Sequence, residues 1–563
     1  MTDFSIEPGD IASSLDTVFS QLDRDRFVDA LWARRTDLWS GEYAVKTAIA
    51  QRLGWLDAVE FVSAQLGRVE TFAQRVRSAS FTDIVLFGMG GSSLAPEVFH
   101  RVLGRENARP RFRMLDSTDP AAVRDALANA PTSLFIVASK SGTTIEPNSM
   151  AAAARRRVEA AGIKDWASRL VAITDEGTQL HRTAVNDGFF DVFVNLPDVG
   201  GRYSALTLFG IVPAALMSVP LRQLLDRARK MADACRTKSA RDNPGVALGA
   251  LLGAAAAAGR DKLTLLLPPR IESFGLWVEQ LIAESTGKHG KGIVPIAGET
   301  TDAAPGEDRV AVSVRVDGVG VDNRVINRLR DARVPLMTID IPRVDALGAE
   351  FFRWEVATAT AGRLLDINPF DEPNVQQAKD ATRALLDAYT TRGQLPRRAP
   401  DATVDGLELT VSEATRKRLA SVGMDRFLDQ LGAGDYFALL AYLPPDDPAL
   451  DPVLRNIRDR IAVERGRATM FGYGPRYLHS TGQLHKGGPN TGVFLIVTAP
   501  APTDVPVPDA PYTFGVLELA QALGDFQSLD RANRRAAHVH LPDRTPASLA
   551  RLSGLLGISH RPN

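Results

Sequence analysis

Cysteine is almost missing: Cys235 stands alone among 563 residues. One thiol cannot form an intramolecular disulfide, which excludes a disulfide-stapled scaffold and fits a reducing compartment. In its helical stretch it reads as a small core residue rather than a nucleophile. Long apolar runs are missing too. The most apolar stretch, residues 247–259 (ALGALLGAAAAAG), is too short and too rich in Ala and Gly to span a bilayer. Neither sign of charge is in excess. Lys plus Arg number 66 and Asp plus Glu 67, a formal net charge of -1. That balance gives no argument for nucleic acid or membrane as a partner. The N-terminus, MTDFSIEPGD, is acidic and has no basic-then-apolar leader pattern. A cytoplasmic protein with neither partner is the expectation.

The length exceeds one ordinary domain, so several are expected. Residues 10–75 show apolar spacing of about 3.6, as in SLDTVFSQL and DRFVDALWARR, and read as helices. Strands and helices then alternate. TDIVLFGM, RFRMLD, SLFIVAS, RLVAIT and DVFVNL read as buried strands of a parallel sheet covered by helices. A second round follows, with DKLTLLLP, DRVAVSVRV and PLMTIDIP as strands. A third contains DYFALLAYL, ATMFGYG, TGVFLIVTA and AAHVHL. The expected organisation is an N-terminal helical segment (1–75), α/β units at 76–230 and 231–391, a linker rich in Pro, Arg and Asp (392–406), and a C-terminal α/β unit (407–563).

Two loops follow strands of the first unit. GMGGSS brings Gly88, Gly90, Gly91, Ser92 and Ser93, and glycines let a backbone approach a ligand closely. It lacks the third glycine and the ribose-binding acid of a dinucleotide fingerprint. SKSGTTIEP (139–147) places Ser139, Lys140, Ser141, Thr143 and Thr144 at a strand mouth, just before a helix start. Hydroxyls, free N–H groups and a helix N-terminus make an anion site there, although a polar turn capped by Ser or Thr reads the same way.

GMGGSSLAPEV, SKSGTTIEP, GGRYSALTLFGIVPA (200–214), ESTGKHGKG (284–292) and NPFDEPNVQQAK (368–379) together resemble the glucose-6-phosphate isomerase family, in the family's own order. With the tail GPRYLHSTGQLHKGGPN, the chain is most similar to the isomerase half of bacterial transaldolase–isomerase fusions. Its first 75 residues are too few for a transaldolase barrel, which needs about 200. The resemblance implies two sugar-isomerase (SIS) domains, each a parallel sheet between helices, with a C-terminal α/β block in addition. It implies an active site between the domains that is completed at the interface of a homodimer, and interconversion of glucose 6-phosphate and fructose 6-phosphate in glycolysis and gluconeogenesis. By the same match, Ser139, Lys140, Ser141, Thr143 and Thr144 hold the 6-phosphate, with Gly91, Ser92 and Gly201 beside the sugar.

The chemistry needs a base that moves a proton between adjacent carbons through a cis-enediol. Glu284 leans toward the apolar face of the helix IESFGLWVEQLIAE, where desolvation raises basicity. Arg202, in GGRYS, is the cation for the enediolate, and Ser204 is a candidate helix cap. By the resemblance, Lys379 shares ring opening with a histidine. Glu372 stands where the family usually has Gln. The family's usual His segment after the ESxGK helix is missing here. His479 resembles the lost pattern, His289 is the local competitor, and His485 and Lys486 are candidate neighbours. His538 and His540 alternate in AAHVHL with no third metal ligand in view, so no metal and no cofactor are expected. Two alternatives stay open: isomerisation of a related hexose 6-phosphate or 6-sulfo sugar, and a non-catalytic sugar-phosphate sensor.

Overall fold

The computed structural model describes residues 3–104, 110–419 and 424–558. Among them, sixteen strands form three sheets. Strand β1 is Asp3–Glu7. Strands β2 (Asp83–Phe87), β3 (Arg111–Leu115), β4 (Ser133–Ala138), β5 (Leu170–Thr174) and β6 (Asp191–Val194) form an all-parallel sheet in the order β3-β2-β4-β5-β6. Strands β7 (Lys262–Leu266), β8 (Val294–Ala297), β9 (Arg309–Val316) and β10 (Leu336–Ile341) form the second sheet, in the order β1-β10-β9-β7-β8. Only β1 runs antiparallel there. The third sheet takes β11 (Ala402–Val404), β12 (Leu407–Val411), β13 (Tyr436–Tyr442), β14 (Ala468–Tyr473), β15 (Gly492–Thr498) and β16 (Arg535–His540). Its order is β11-β12-β16-β15-β13-β14, with an antiparallel hairpin at one edge.

The α/β class follows from strands such as SLFIVA, in which every residue is buried. The first sheet reverses its order between β2 and β4. The loops GMGGSS and SKSGTT leave the carboxyl ends of those two strands, where open α/β sheets form a ligand crevice.

Several details differ from the sequence reading. The N-terminal segment is helical but opens with β1, a short edge strand. β11 lies inside the stretch expected as a linker and pairs with β12. The helix expected at Ala205 starts at Leu208, capped by Thr207, and Ser204 instead donates to the Gly201 carbonyl at 2.6 Å. The helix that carries Lys379 begins at Val375. Cys235 is buried in the core, and burial pushes its thiol up to about 12.

The helix Leu347–Leu364 runs through the largest core, buried on all sides from Leu347 to Gly362. It lies against the helix Pro244–Ala257, where a Cβ on Gly249 would sit 2.4 Å from the Ala357 carbonyl. Close helix contact explains that glycine. The third sheet has its own core on one face, around Leu409, Leu439 and Leu495. Its other face packs Tyr436 and Leu440, with Leu484 of the short helix Gly482–Gly487, against Ala283, Val294 and Ile296. The C-terminal unit is thereby seated on the helix that carries Glu284. Among the described residues, no helix is long and apolar enough to cross a membrane, and no group of three His, Cys, Asp or Glu could hold a metal ion.

Candidate active site

Glu284 lies near the end of the helix Phe274–Thr286. Its side chain is only 12% exposed, and Oε1 is 3.1 Å from Arg202 Nη1. Gln280, one turn earlier, donates from Nε2 to Glu284 Oε2 at 3.0 Å and to the His479 carbonyl at 2.9 Å. Burial pushes the Glu284 carboxyl above its ordinary value and the nearby Glu372 adds to this, against Arg202, Gln280 and His479. The arrangement offers a partly neutralised, desolvated carboxylate, poised to exchange a proton.

Arg202 sits on the short turn Gly201–Tyr203 and is buried. Its Nε donates to Ser285 Oγ at 2.9 Å. Its Nη2 donates to the carbonyls of Asp371 and Pro369, at 2.8 and 3.2 Å. Nη1 meets Glu284 and also Glu372 Oε2, at 3.0 Å. The cation is held from four directions and cannot swing away.

The GMGGSS loop meets the turn that carries Arg202 through glycine. A Cβ on Gly91 would lie 1.9 Å from the Gly201 carbonyl, so no other residue fits without moving the turn that carries Arg202. Ser92 is half-buried beside it. In the second loop, Ser139 and Thr144 pair at 3.1 Å and Ser141 and Thr143 at 3.0 Å. Gly142 has a φ of +67° and donates to Ser139 Oγ at 3.1 Å. Thr144 precedes the helix Ile145–Ala160 without a side-chain cap bond; Pro147 has no N–H and Asn148 donates to the Thr144 carbonyl, so the first-turn donors facing the loop are those of Ile145 and Glu146. Lys140 departs from the expected role. Its Nζ donates to Asp175 Oδ2 at 2.5 Å and to the Pro197 carbonyl at 2.8 Å. Its ammonium is engaged with the β5 end rather than standing over the loop.

His479 lies at the end of the turn Arg476–His479 in the C-terminal unit. Its Nε2 is 2.9 Å from Glu146 Oε1. Gln521 donates to the same oxygen at 2.7 Å, and Thr118 donates to Gln521 Oε1 at 2.7 Å. Burial is the largest single influence on the Glu146 carboxyl and works to raise it, but His479, the Glu146 backbone N–H and Lys379 together hold the group below its ordinary value. Lys379 is exposed on the helix Val375–Arg392.

Sequence reasoning missed Glu146 although it lies in SKSGTTIEP, because an acid in a first helical turn already reads as a helix-dipole partner. It also missed Lys288. This buried ammonium donates to the Asn368 carbonyl at 2.8 Å, the Asp371 carbonyl at 2.5 Å and Asp371 Oδ1 at 2.6 Å. Burial, then Arg202, depress it to about 8. It ties down the loop that presents Glu372.

The other histidines fall elsewhere. His289 is exposed on a left-handed turn. His485 is buried between Tyr477 and Phe494, and Lys486 pairs with Asp525 at 2.5 Å inside the C-terminal unit. His538 and His540 both bond Thr498 Oγ1, at 2.8 and 2.7 Å.

A family model described as phosphoglucose isomerase matches residues 51–307. That stretch contains both loops, Arg202 and Glu284, while Glu372, Lys379 and His479 lie beyond it. The glucose-6-phosphate isomerase of Parasynechococcus marenigrum (strain WH8102) is 30% identical over 435 residues, covering 69% of this chain and 76% of that protein. Among solved structures, a hypothetical protein from Thermus thermophilus is similar with a TM-score of 0.58 at 23% identity, covering 68% of this chain and 99% of that one. A glucose-6-phosphate isomerase from Chlamydia trachomatis gives 0.50 at 18% identity, covering 65% of this chain and 78% of that one. At these identities the two solved structures speak for the fold alone.

Proposed function

Since the chain belongs to the phosphoglucose isomerase family, we propose that it interconverts glucose 6-phosphate and fructose 6-phosphate, a step of glycolysis and, in reverse, of gluconeogenesis. The observation that carries this reading is the buried Glu284 carboxylate, 3.1 Å from Arg202 and bonded by Gln280.

The 6-phosphate rests on the hydroxyls of Ser139, Ser141, Thr143 and Thr144 and on the open N–H groups at the helix start. Gly91, Ser92 and Gly201 flank the sugar. His479, oriented by Glu146, gives a proton to O5 as the C1–O5 bond breaks, the O1 hydroxyl releases its proton to water as the C1–O1 double bond forms, and Lys379 assists at this edge of the site. Glu284 then takes the C2 proton of the open aldehyde. The C2–H electron pair becomes the C1–C2 double bond, and the carbonyl pair moves to O1. Arg202 stabilises that enediolate charge. The O2 hydroxyl proton passes to O1, the O2 electron pair forms the C2–O2 double bond, and the C1–C2 double-bond pair takes the Glu284 proton at C1, which leaves the ketone at C2. The reaction is a redistribution of protons and electrons within one molecule.

A homodimer in the cytoplasm is the working assembly.

The test is isomerisation of fructose 6-phosphate in chelator, with glucose 6-phosphate detected by a coupled dehydrogenase. Glu284→Gln should reduce kcat by about 10²–10⁴-fold. A folded wild type without activity on this substrate would move the reading to a different sugar or to a sensor.

A further inference from the structure

A second cavity lies where the three units meet. Its volume is about 430 Å³. Leu94 of the first unit, Leu276 of the second and Leu440, Met470 and Phe471 of the third supply apolar wall. Neither Glu284, Arg202, Glu146 nor His479 lines it, so it is not the sugar site.

Its polar groups are arranged by depth. At the mouth stand Arg101, Arg270 and Arg455, whose side chains are 43, 59 and 40% exposed. Arg455 spends only Nε on Asp451, at 2.7 Å, and lies over the Phe471 ring; Arg270 spends only Nη1 on Asp317, at 3.1 Å. Each guanidinium has five N–H donors, so most of theirs remain open. Glu272 and Asp446 share the lining, and Arg101, Arg270, Arg455, Arg458 and Arg476 each pair with a carboxylate, Asp446, Asp317, Asp451, Asp459 and Asp116 in turn, so the mouth offers an anion open N–H donors rather than an uncompensated charge. On the inner wall, Glu279 is 8% exposed, and its Oε1 accepts from the Ala297 N–H at 3.2 Å. Burial pushes its carboxyl up to about 8, which makes it a neutral donor. His485 is 1% exposed, and among the described residues neither of its ring nitrogens has a hydrogen-bond partner. A buried polar group left without a partner is costly, and a ligand atom would relieve it.

The cavity shares one element with the sugar site. Arg476, Tyr477, Ser480 and Thr481 line it, while His479 between them faces Glu146. The His479 carbonyl also accepts from Gln280, which holds Glu284. A shift of this turn reaches the acid and the base together.

We propose that this cavity binds a small phosphomonoester with an aromatic or apolar body, and that its occupancy changes turnover at the sugar site through the turn carrying His479. The body fits the apolar wall, the phosphate the arginines at the mouth, and a hydroxyl or carbonyl the inner Glu279 and His485. The regulatory half rests on the isomerase reading; the binding half does not.

Phenyl phosphate is the probe, because it has both parts. Calorimetry on the full chain, with the sugar site saturated by fructose 6-phosphate in Glu284→Gln, should still detect one binding event. That event should vanish in the same background carrying Ser273→Trp, which fills the cavity from a helix cap that makes no cap bond. In the otherwise wild-type chain, phenyl phosphate should shift kcat at saturating fructose 6-phosphate by about fivefold, the low end of typical couplings between sites. The shift should be absent in Ser273→Trp and in the rim variant Arg455→Gln, both with basal kcat intact. Binding that saturating sugar abolishes, an effect on KM alone, or a kcat effect surviving both variants would overturn the proposal. An inactive chain would leave the calorimetric arm decisive for the cavity.

Discussion

Glu372 and Glu284 share one nitrogen: Nη1 of Arg202 lies 3.0 Å from the first carboxylate and 3.1 Å from the second. Two acids on one cation repel, and Glu372 is among the groups that raise Glu284. Glu372→Gln keeps the shape and removes the charge. The Glu284 carboxyl should then ionise at lower pH. A base works only when deprotonated, so the acidic limb of kcat/KM should move to lower pH. A pH–rate profile of both proteins checks this; a limb that stays or moves up would remove Glu372 from the tuning.

Glu146 and His479 form the second pair, joined at 2.9 Å. Glu146→Gln should lower kcat with little effect on KM, because the phosphate loop around it is untouched. His479→Ala should cost about 10²-fold or more. Adding Glu146→Gln to His479→Ala should cost little further, since residues acting as a unit are not additive. Additive losses would separate the two roles. Glu146 also bears on stability. Its carboxyl is held below the ordinary value, so the stability it contributes is present above that value and is lost as pH falls through the depressed one.

The sequence made the parallel sheets legible because buried strands such as SLFIVA carry no polar interruption. It made Glu284, Arg202 and the hydroxyl loop legible because each lies in a local motif. Other features had no local signal. Glu146 finds its partner 333 residues away. β8, VPIA, contains a proline that argues against a strand, and the structure resolves this by placing it at a sheet edge. β1 has only five residues, two of them acids, and becomes a strand by pairing with β10. Lys140 sits in the motif, but the direction of its ammonium depends on Asp175 at the end of a neighbouring strand.

That direction separates two variants of the phosphate loop. Ser141→Ala removes a hydroxyl from the loop's open side and should raise KM for fructose 6-phosphate. A hydrogen bond to a charged group is worth about 1.5–3 kcal/mol, or roughly 10–150-fold. Lys140→Met leaves the hydroxyls in place and should raise KM less than Ser141→Ala. Steady-state kinetics on both decide the order, and the reverse order would put the Lys140 ammonium on the phosphate.

Glu355 carries the last prediction. It is fully buried on the central helix Leu347–Leu364, and among the described residues neither carboxyl oxygen has a hydrogen-bond partner. Burial raises its carboxyl well above the ordinary 4.5. The folded state therefore holds this proton more tightly than the unfolded state does. Stability falls as pH rises above about 4.5, the ordinary value, because unfolding then releases a proton. Glu355→Met fills similar space without that dependence, and it removes an unsatisfied buried group worth about 1–3 kcal/mol. Thermal melts at pH 4.5 and pH 8 should show the variant more stable at both and the gap wider at pH 8. A variant less stable than wild type at pH 8 would mean that Glu355 has a partner which the static structure does not show.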